Sequence, residues 1–198
     1  MEKLNKQLNF FPNLPNNITV LRILLVPAFI FSLLYYTPQK QYFISWAIAI
    51  FLAACFTDAL DGFVARKLKQ QTVFGSYIDP IADKLLISCG FLCLSLMNHL
   101  PPEMRIPGWV TLFVISRDVI ILIGAALIFL STGSLKAAPL FIGKLTTVVQ
   151  MATLCAALLK VPHGPLNGLF VLTVVLTVCS GILYIRMGEK IFNRETIR

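Results

Sequence analysis

Charged residues are scarce in this chain: they make up 13% of its 198 residues, whereas 57% are hydrophobic. In an ordinary soluble domain about a quarter of the residues are charged. The scarcity of charge therefore excludes a typical soluble domain. The long, nearly uncharged runs instead predict transmembrane helices, each of which needs about 20 apolar residues to cross the hydrocarbon core.

Histidine is also rare, since the chain has only two histidines beside five cysteines. The cysteines all lie inside apolar runs, at Cys55, Cys89, Cys93, Cys155 and Cys179. No histidine accompanies Cys89 and Cys93, so no zinc site is expected, and no disulfide framework is indicated. Residues 1–10 are mixed and polar, so no cleavable signal peptide is expected either.

The sequence contains no long linker, internal repeat or low-complexity tract. This favours a single membrane domain that spans residues 1–198. Residues 1–15 are predicted to form an amphipathic helix in the membrane interface, because Leu4, Leu8 and Phe11 recur at helical spacing. A six-helix bundle is predicted at 16–188, followed by a tail at 189–198. The six spans are predicted at about 17–36, 42–65, 74–98, 107–131, 138–160 and 166–187.

The net charge of +8 does not indicate nucleic-acid binding, because the basic residues lie mostly between and beyond the apolar spans. That placement is typical of contact with anionic membrane lipids. Six spans place both termini on one side, and the opposite loops hold only Lys40, Arg105 and Lys160. The positive-inside rule therefore predicts that both termini are cytoplasmic.

Acidic residues number only nine, yet four of them, Asp58, Asp61, Asp79 and Asp83, fall inside or beside two apolar spans. A carboxylate at the centre of a membrane helix costs about 2.5–3.5 kcal/mol. The two nearby cations do not balance four carboxylates, whereas one or two divalent metal ions would.

Helical geometry supports a shared site for these carboxylates. At about 100° per residue, Asp58 and Asp61 lie about 60° apart on the second span. Gly75, Asp79 and Asp83 repeat every four residues on the third. Because a short connection joins the two spans, their acidic faces are predicted to converge near the cytoplasmic end.

Carboxylates are hard oxygen ligands that suit Mg²⁺, Mn²⁺ or Ca²⁺, and paired divalent ions held by carboxylates serve phosphoryl chemistry. The structural alternative is that these positions only help helices pack closely. It would explain the glycines but not four regularly spaced acids.

A longer motif contains the four acids. It runs Asp58-x-x-Asp61-Gly62-x-x-Ala65-Arg66-(x)8-Gly75-x-x-x-Asp79-x-x-x-Asp83. The motif resembles the signature of the CDP-alcohol phosphotransferase family at every fixed position. The segment from Leu14 to Arg22 resembles the family's entry into its first helix, and the six-span plan agrees as well.

The resemblance implies an all-α membrane enzyme that moves a phosphate-linked group from a CDP-activated donor to an alcohol and releases CMP. It implies that the four aspartates bind two divalent ions and that Asp83 is the general base for the acceptor hydroxyl. It further implies a homodimer in a bacterial inner membrane, with a cytoplasmic active site. The residues implied to hold the CDP part of the donor are Asn16, Thr19, Gly62, Ala65, Arg66 and Gly75.

The acceptor is predicted to bind at Arg117, Asp118 and Lys144, in segments that resemble the phosphatidylglycerol–cardiolipin branch of the family. An ion pair between Arg117 and Asp118 is not expected, because adjacent helical residues point apart. The structural alternative for each cation is that it snorkels to the membrane surface or pairs with an acid.

The choice of acceptor depends on cations that this chain lacks. Phosphatidylglycerophosphate synthases usually carry a second arginine in the fourth span and a second lysine in the fifth. Here only apolar residues lie between Asp118 and Leu130, and Thr146 occupies the lysine position. This pattern is more similar to eukaryotic-type cardiolipin synthases, whose acceptor, phosphatidylglycerol, carries a monoanionic phosphodiester.

Phosphatidylglycerol is therefore the favoured acceptor, with CDP-diacylglycerol as donor and cardiolipin as product. Glycerol 3-phosphate, which would give phosphatidylglycerophosphate, is the alternative. An ion transporter is a remote alternative, since intramembrane acids also mark ion pathways. Against it, the acids lie on adjacent spans near one face, and no inverted repeat is seen.

Overall fold

The computed structural model describes the backbone of residues 14–68, 73–132 and 141–196, and the side chains of 21, 23–57, 84–127 and 141–189. All regular structure in these ranges is helical. The elements are α1 (Leu14–Leu34), α2 (Tyr42–Leu68), α3 (Val73–Leu96), a short 3₁₀ helix (Pro102–Met104), α4 (Gly108–Thr132), α5 (Phe141–Leu158) and α6 (His163–Thr196). The all-α prediction is confirmed for this part of the chain, and each predicted span corresponds to one helix. The predicted interfacial helix falls almost wholly outside the described residues.

Helix α6 extends beyond the apolar span that the sequence predicts. That span was expected to end at about residue 187, which is close to the end of the apolar stretch His163–Glu189, but the helix itself continues to Thr196. Hydropathy detects where the chain leaves the hydrocarbon, whereas a helix continues for as long as no residue breaks it. The segment after Glu189 contains lysine, glutamate and arginine, which favour a helix. Most of the predicted tail at 189–198 is therefore a helical extension.

Three helical stretches in the described ranges are long and apolar enough to cross a membrane: Pro102–Leu127, Phe141–Leu158 and His163–Glu189. The other three apolar stretches, Ile23–Leu34, Tyr42–Thr57 and Lys84–Leu96, are shorter. The chain is thus an integral membrane protein with at least these three candidate spans. A count of six spans stays a prediction.

Residues 1–89 form one compact unit, in which α1 packs against α2. The ring centroids of Phe29 and Phe51 are 6.0 Å apart, and those of Tyr35 and Phe43 are 6.4 Å apart. Pairs whose numbers rise on one helix and fall on the other indicate antiparallel helices. Ala47 and Ala54 are buried on α2 at either side of Phe51, and such small residues allow membrane helices to approach closely.

Residues 90–198 form the second compact unit, in which α6 packs against both α4 and α5. Its apolar core includes Met104, Val110, Leu154, Leu158 and Leu166, all of them almost fully buried. The outward surface of the same helices is also apolar, with Leu, Ile, Val and Phe side chains exposed. Apolar exteriors of this kind suit a lipid environment, in which the polar groups turn inward.

The end of α5 is closed by a Schellman motif, in which the N–H of Val161 donates to the carbonyl of Ala156 and that of Lys160 to the carbonyl of Ala157, each at 3.0 Å. Lys160 has a φ of 56°, the left-handed conformation that this motif requires. Glycine adopts this conformation without strain, whereas a residue with a Cβ atom does not.

We expect Lys160→Gly to raise the free energy of unfolding by about 1 kcal/mol, because it removes the left-handed strain at this residue. The measurement is the midpoint of unfolding in detergent, followed by circular dichroism. Leu159→Gly is the matched control, since the neighbouring position gains nothing from glycine. A lower midpoint for Lys160→Gly than for the unmodified protein would contradict this account.

Candidate functional site

The four acidic positions lie on two consecutive helices. Asp58 and Asp61 fall in the second half of α2 and Asp79 and Asp83 in the first half of α3, with residues 69–72 between the helices. Their side chains lie outside the described residues, as do those of Asn16, Thr19, Gly62, Ala65, Arg66 and Gly75. The helical placement of each pair agrees with the sequence analysis, and the convergence of the carboxylates stays a prediction.

Arg117 is a buried cation on α4, and its contacts with α4, α5 and α6 are described by the structure. Its residue is 6% exposed and that of Asp118 is 7% exposed. Nη1 of Arg117 donates to Oδ1 of Asp118 at 2.7 Å, which makes this pair a buried salt bridge. Nη2 donates to Oγ of Ser180 on α6 at 2.9 Å.

The expectation that Arg117 would not pair with its neighbour Asp118 was therefore wrong. The helical rule describes the directions of the Cβ atoms, which do diverge by about 100° between adjacent residues. It does not limit a side chain as long as arginine, which can bend sideways along the helix. Burial adds the driving force, because a charge removed from water needs a partner of opposite sign.

An aromatic ring and a glycine complete the surroundings of the guanidinium. The carbon at its centre lies 5.8 Å from the ring centroid of Tyr184 on α6, within the range of a cation–π contact. A Cβ atom at Gly143 on α5 would lie 3.4 Å from Nη2 of Arg117 and 3.3 Å from the Tyr184 hydroxyl. Glycine at position 143 thus leaves the space that the guanidinium and the phenol occupy.

One nitrogen of the Arg117 guanidinium makes no hydrogen bond within the described part of the chain. Its Nε is buried and has no hydrogen-bond partner among the side chains and backbone that the structure describes. Buried polar groups are almost always paired, so an orphaned N–H of a charged group requires an explanation. A bound anion would supply the missing acceptor.

Lys144 lies beside this cluster in sequence but differs from it in exposure. Gly143 is buried, whereas Lys144 is exposed. Of the three predicted acceptor-binding residues, the structure thus joins Arg117 and Asp118 directly and leaves the Lys144 side chain at the surface of α5.

A polar seam joins α5 to α6 beside the Arg117 cluster. It consists of Thr146, Gln150 and Thr153 on α5 and Thr173 and Thr177 on α6, all almost fully buried. The hydroxyls of Thr153 and Thr173 are 2.7 Å apart, and Nε2 of Gln150 donates to Oγ1 of Thr177 at 3.3 Å. Such hydrogen bonds between polar side chains of neighbouring helices contribute to helix packing within membranes.

Thr146 belongs to this seam, and its position bears on the acceptor. Its hydroxyl lies 2.8 Å from the carbonyl of Ile142 and 3.2 Å from that of Leu176 on α6. The residue is fully buried. The position at which phosphatidylglycerophosphate synthases usually carry a second lysine is therefore used here for helix packing.

The sequence analysis missed Ser180 and Tyr184 as partners of Arg117. A signal for them existed, because Thr173, Thr177, Ser180 and Tyr184 recur every three or four residues in an otherwise apolar span. Polar groups on one face of a membrane helix indicate an inward-facing stripe. The stripe does not by itself reveal which residue on another helix it meets.

Comparison with known proteins identifies the family. The sequence model described as CDP-alcohol phosphatidyltransferase matches residues 12–182. The chain belongs to this family. The match extends from before α1 to the middle of α6, so it includes the acidic motif together with Arg117, Asp118, Gly143 and Ser180, and it ends just before Tyr184. The chain is therefore a CDP-alcohol phosphatidyltransferase, an enzyme of phospholipid biosynthesis.

Its curated relatives include bacterial enzymes of one kind. A "Probable phosphatidylglycerophosphate synthase" of Mycobacterium tuberculosis is 34% identical over 87% of this chain and 80% of its own. A "CDP-diacylglycerol–glycerol-3-phosphate 3-phosphatidyltransferase" of Aquifex aeolicus is 33% identical over 92% of this chain and 99% of its own. The enzyme of that name from Escherichia coli K12 is 32% identical over 87% and 93%. These names favour the alternative acceptor of the sequence analysis, and they lend no support to cardiolipin synthesis.

Proposed function

We propose that this CDP-alcohol phosphatidyltransferase transfers the phosphatidyl group of CDP-diacylglycerol to glycerol 3-phosphate, forming phosphatidylglycerophosphate and releasing CMP. The observation that carries the proposal is the similarity to relatives from three bacteria, each aligned over at least 80% of its own length and each named for this product or this transfer. We place the reaction at the cytoplasmic face of a bacterial inner membrane, where a water-soluble acceptor can reach a lipid donor.

The missing second lysine is a weaker argument than these relatives. Thr146 is buried in the polar seam against α6, so this position serves helix packing in the present chain. A lack of charge there does not reveal how many cations reach the acceptor from other positions. Arg117 and Lys144 still provide two cations that could bind the phosphomonoester of glycerol 3-phosphate. Residues whose side chains lie outside the described set could provide others.

The four carboxylates of the acidic motif are chemically suited to bind divalent metal ions, because they are hard oxygen ligands of the kind that Mg²⁺ and Mn²⁺ prefer. We assign Asp58, Asp61, Asp79 and Asp83 to hold two such ions. When bound, these ions supply positive charge against the diphosphate of the donor. Gly62, Ala65, Arg66 and Gly75, with Asn16 and Thr19, are proposed to hold the CDP part.

In the proposed reaction a hydroxyl oxygen of glycerol 3-phosphate attacks the phosphorus nearest the diacylglycerol. The bond from that phosphorus to the oxygen it shares with CMP breaks, and CMP leaves with that oxygen. Asp83 takes the proton of the attacking hydroxyl. Arg117 and Lys144 bind the phosphate of the acceptor, and Asp118 fixes the orientation of Arg117 through their salt bridge.

The test compares acceptors on the purified protein in detergent with CDP-diacylglycerol and Mg²⁺ or Mn²⁺. We expect CMP release with glycerol 3-phosphate and none above background with phosphatidylglycerol. Release that requires phosphatidylglycerol would overturn the proposal in favour of cardiolipin synthesis. Mass spectrometry of the lipid product distinguishes the two outcomes directly.

Lys144→Ala is expected to raise the KM for glycerol 3-phosphate about three- to tenfold, because one charge-assisted contact to a phosphate is lost. The kcat and the KM for CDP-diacylglycerol should stay within about twofold, since a contact made equally in the ground and transition states changes KM alone. The control is Lys40→Ala, which removes an exposed lysine between α1 and α2. An unchanged acceptor KM in Lys144→Ala would place this residue outside the site.

A further inference from the structure

Three helices together determine where the Arg117 guanidinium lies. On α4, Asp118 accepts from Nη1. On α6, Ser180 accepts from Nη2 and Tyr184 places its ring 5.8 Å from the guanidinium carbon. On α5, Gly143 leaves open the volume that a Cβ atom would take 3.4 Å from Nη2.

These contacts restrict the guanidinium more than a salt bridge alone would. A guanidinium is planar, so hydrogen bonds from Nη1 and Nη2 to two different helices oppose its rotation within its own plane. The Tyr184 ring, contributed by the helix that also carries Ser180, adds a third contact that opposes tilting. With both Nη atoms held in this way, Nε is the nitrogen of the guanidinium that has no hydrogen-bond partner among the described residues.

The salt bridge alone would favour a different arrangement. Arginine and aspartate pair most strongly when two parallel N–H groups meet both carboxylate oxygens. Here the hydrogen bond between Arg117 and Asp118 uses Nη1 alone, and Nη2 is directed to Ser180 on another helix. The contact with α6 therefore competes with a bidentate pair and keeps Nε out of the salt bridge.

We propose that Ser180 and Tyr184 are positioning residues, which hold Arg117 so that its Nε N–H is available to the phosphate of the acceptor. The inference rests on the proposed transfer to glycerol 3-phosphate, in which Arg117 binds that phosphate. Neither residue touches the acceptor. Ser180 acts by drawing Nη2 away from Asp118, and Tyr184 acts by holding the plane of the guanidinium.

The experiment measures the KM for glycerol 3-phosphate, the KM for CDP-diacylglycerol, kcat and the unfolding midpoint of each variant. Ser180→Ala is expected to raise the acceptor KM about tenfold, because a hydrogen bond from a charged donor is lost. Ser180→Thr keeps the hydroxyl and is expected to restore the acceptor KM to within about twofold. Threonine already occupies positions 173 and 177 on the same buried face of this helix.

Tyr184 is tested by a second matched pair. Tyr184→Phe keeps the ring and is expected to leave the acceptor KM within about twofold, whereas Tyr184→Leu removes the ring and should raise this KM about fivefold, as expected for a cation–π contact with a half-buried ring. This pair tests the proposal through a different residue if Ser180→Ala does not fold.

Thr177→Val is the structural control. Thr177 accepts a hydrogen bond from Gln150 across the polar seam one turn before Ser180, and the hydrogen bonds of Arg117 within the described residues go to Asp118 and Ser180 instead. Loss of the hydrogen bond from Gln150 in Thr177→Val should lower the unfolding midpoint and leave the acceptor KM unchanged. A purely structural role for Ser180 would make Ser180→Ala behave in the same way, and that result would overturn the proposal.

The unmodified protein is assayed first, so that the two hypotheses fail differently. If it releases no CMP with glycerol 3-phosphate, the proposed function fails, and the positioning role built on it fails with it. If it does release CMP but either Ser180→Ala or Tyr184→Leu keeps the acceptor KM of the unmodified protein, only the positioning role is overturned. A rise in this KM in both variants, with rescue by Ser180→Thr, supports the inference.

Discussion

Asp83→Asn is expected to abolish phosphatidyl transfer, with a loss of at least about 10³-fold in kcat, because one change removes both a carboxylate ligand and the proposed general base. Asparagine has nearly the same size as aspartate and keeps one side-chain oxygen. The fold should therefore persist. The measurement is CMP release from CDP-diacylglycerol and glycerol 3-phosphate, with circular dichroism as the check on helical content.

The two roles of Asp83 are separated by comparison with Asp58→Asn. A variant that has lost only metal affinity should recover part of its activity when the Mg²⁺ concentration is raised, since mass action refills the weakened site. A variant that has lost the base should not recover. We therefore expect excess Mg²⁺ to restore Asp58→Asn in part and Asp83→Asn hardly at all.

The control for both variants is Glu103→Gln, which removes an exposed carboxylate in the 3₁₀ helix and should keep activity within about twofold. Substantial transfer by Asp83→Asn in the presence of ordinary Mg²⁺ would remove Asp83 from the chemistry. Recovery of Asp83→Asn to the level of Asp58→Asn would leave it a metal ligand and assign the base elsewhere.

The helices were predictable from the sequence because lipid imposes a simple rule on it. A segment that crosses a membrane must satisfy its backbone hydrogen bonds internally and present apolar side chains. Apolar runs separated by turn-forming residues, such as Pro101-Pro102 and Pro162, therefore give each helix and its approximate ends. The end of α6 escaped this reasoning, because its last residues are polar and hydropathy carries no information about a helix outside the hydrocarbon.

The reaction type was also predictable, because the chemistry of the acidic motif depends on residue types at fixed spacings along two consecutive helices. The surroundings of Arg117 were not. Ser180 is 63 residues from Arg117 in sequence, and no local pattern reports which face of α6 meets which face of α4. The partner of Asp118 was misjudged for a related reason, since spacing rules describe the backbone and not the reach of an arginine.

The sequence analysis favoured a different acceptor from the one that the relatives' names favour, because charges were counted without their locations. The missing lysine at Thr146 was interpreted as weaker binding of a phosphate. In the structure, Thr146 is a buried hydrogen-bonding residue between α5 and α6, so its chemistry reports on helix packing. Which alcohol an enzyme uses depends on the few side chains that reach the acceptor, and those depend on packing that a single sequence does not disclose.

Arg117→Met is expected to lower the free energy of unfolding by about 3–5 kcal/mol, because it removes the cation from a buried salt bridge and leaves the Asp118 carboxylate without it. Methionine fills much of the same volume, so the loss reflects charge more than a cavity. Transfer should fall at the same time, with the KM for glycerol 3-phosphate raised about a hundredfold or more, since truncating one member of a buried charge pair with its ligand costs 2–5 kcal/mol.

The double variant Arg117→Met/Asp118→Asn separates these two effects. Asparagine carries no charge, so the double variant should recover most of the stability that the single variant loses. It should not recover binding of the acceptor, because the guanidinium is still missing. The unfolding midpoint in detergent and the acceptor KM are measured on the same preparations. If the double variant regained both stability and a normal acceptor KM, Arg117 would be a structural cation alone, and the acceptor phosphate would have to be bound by other residues.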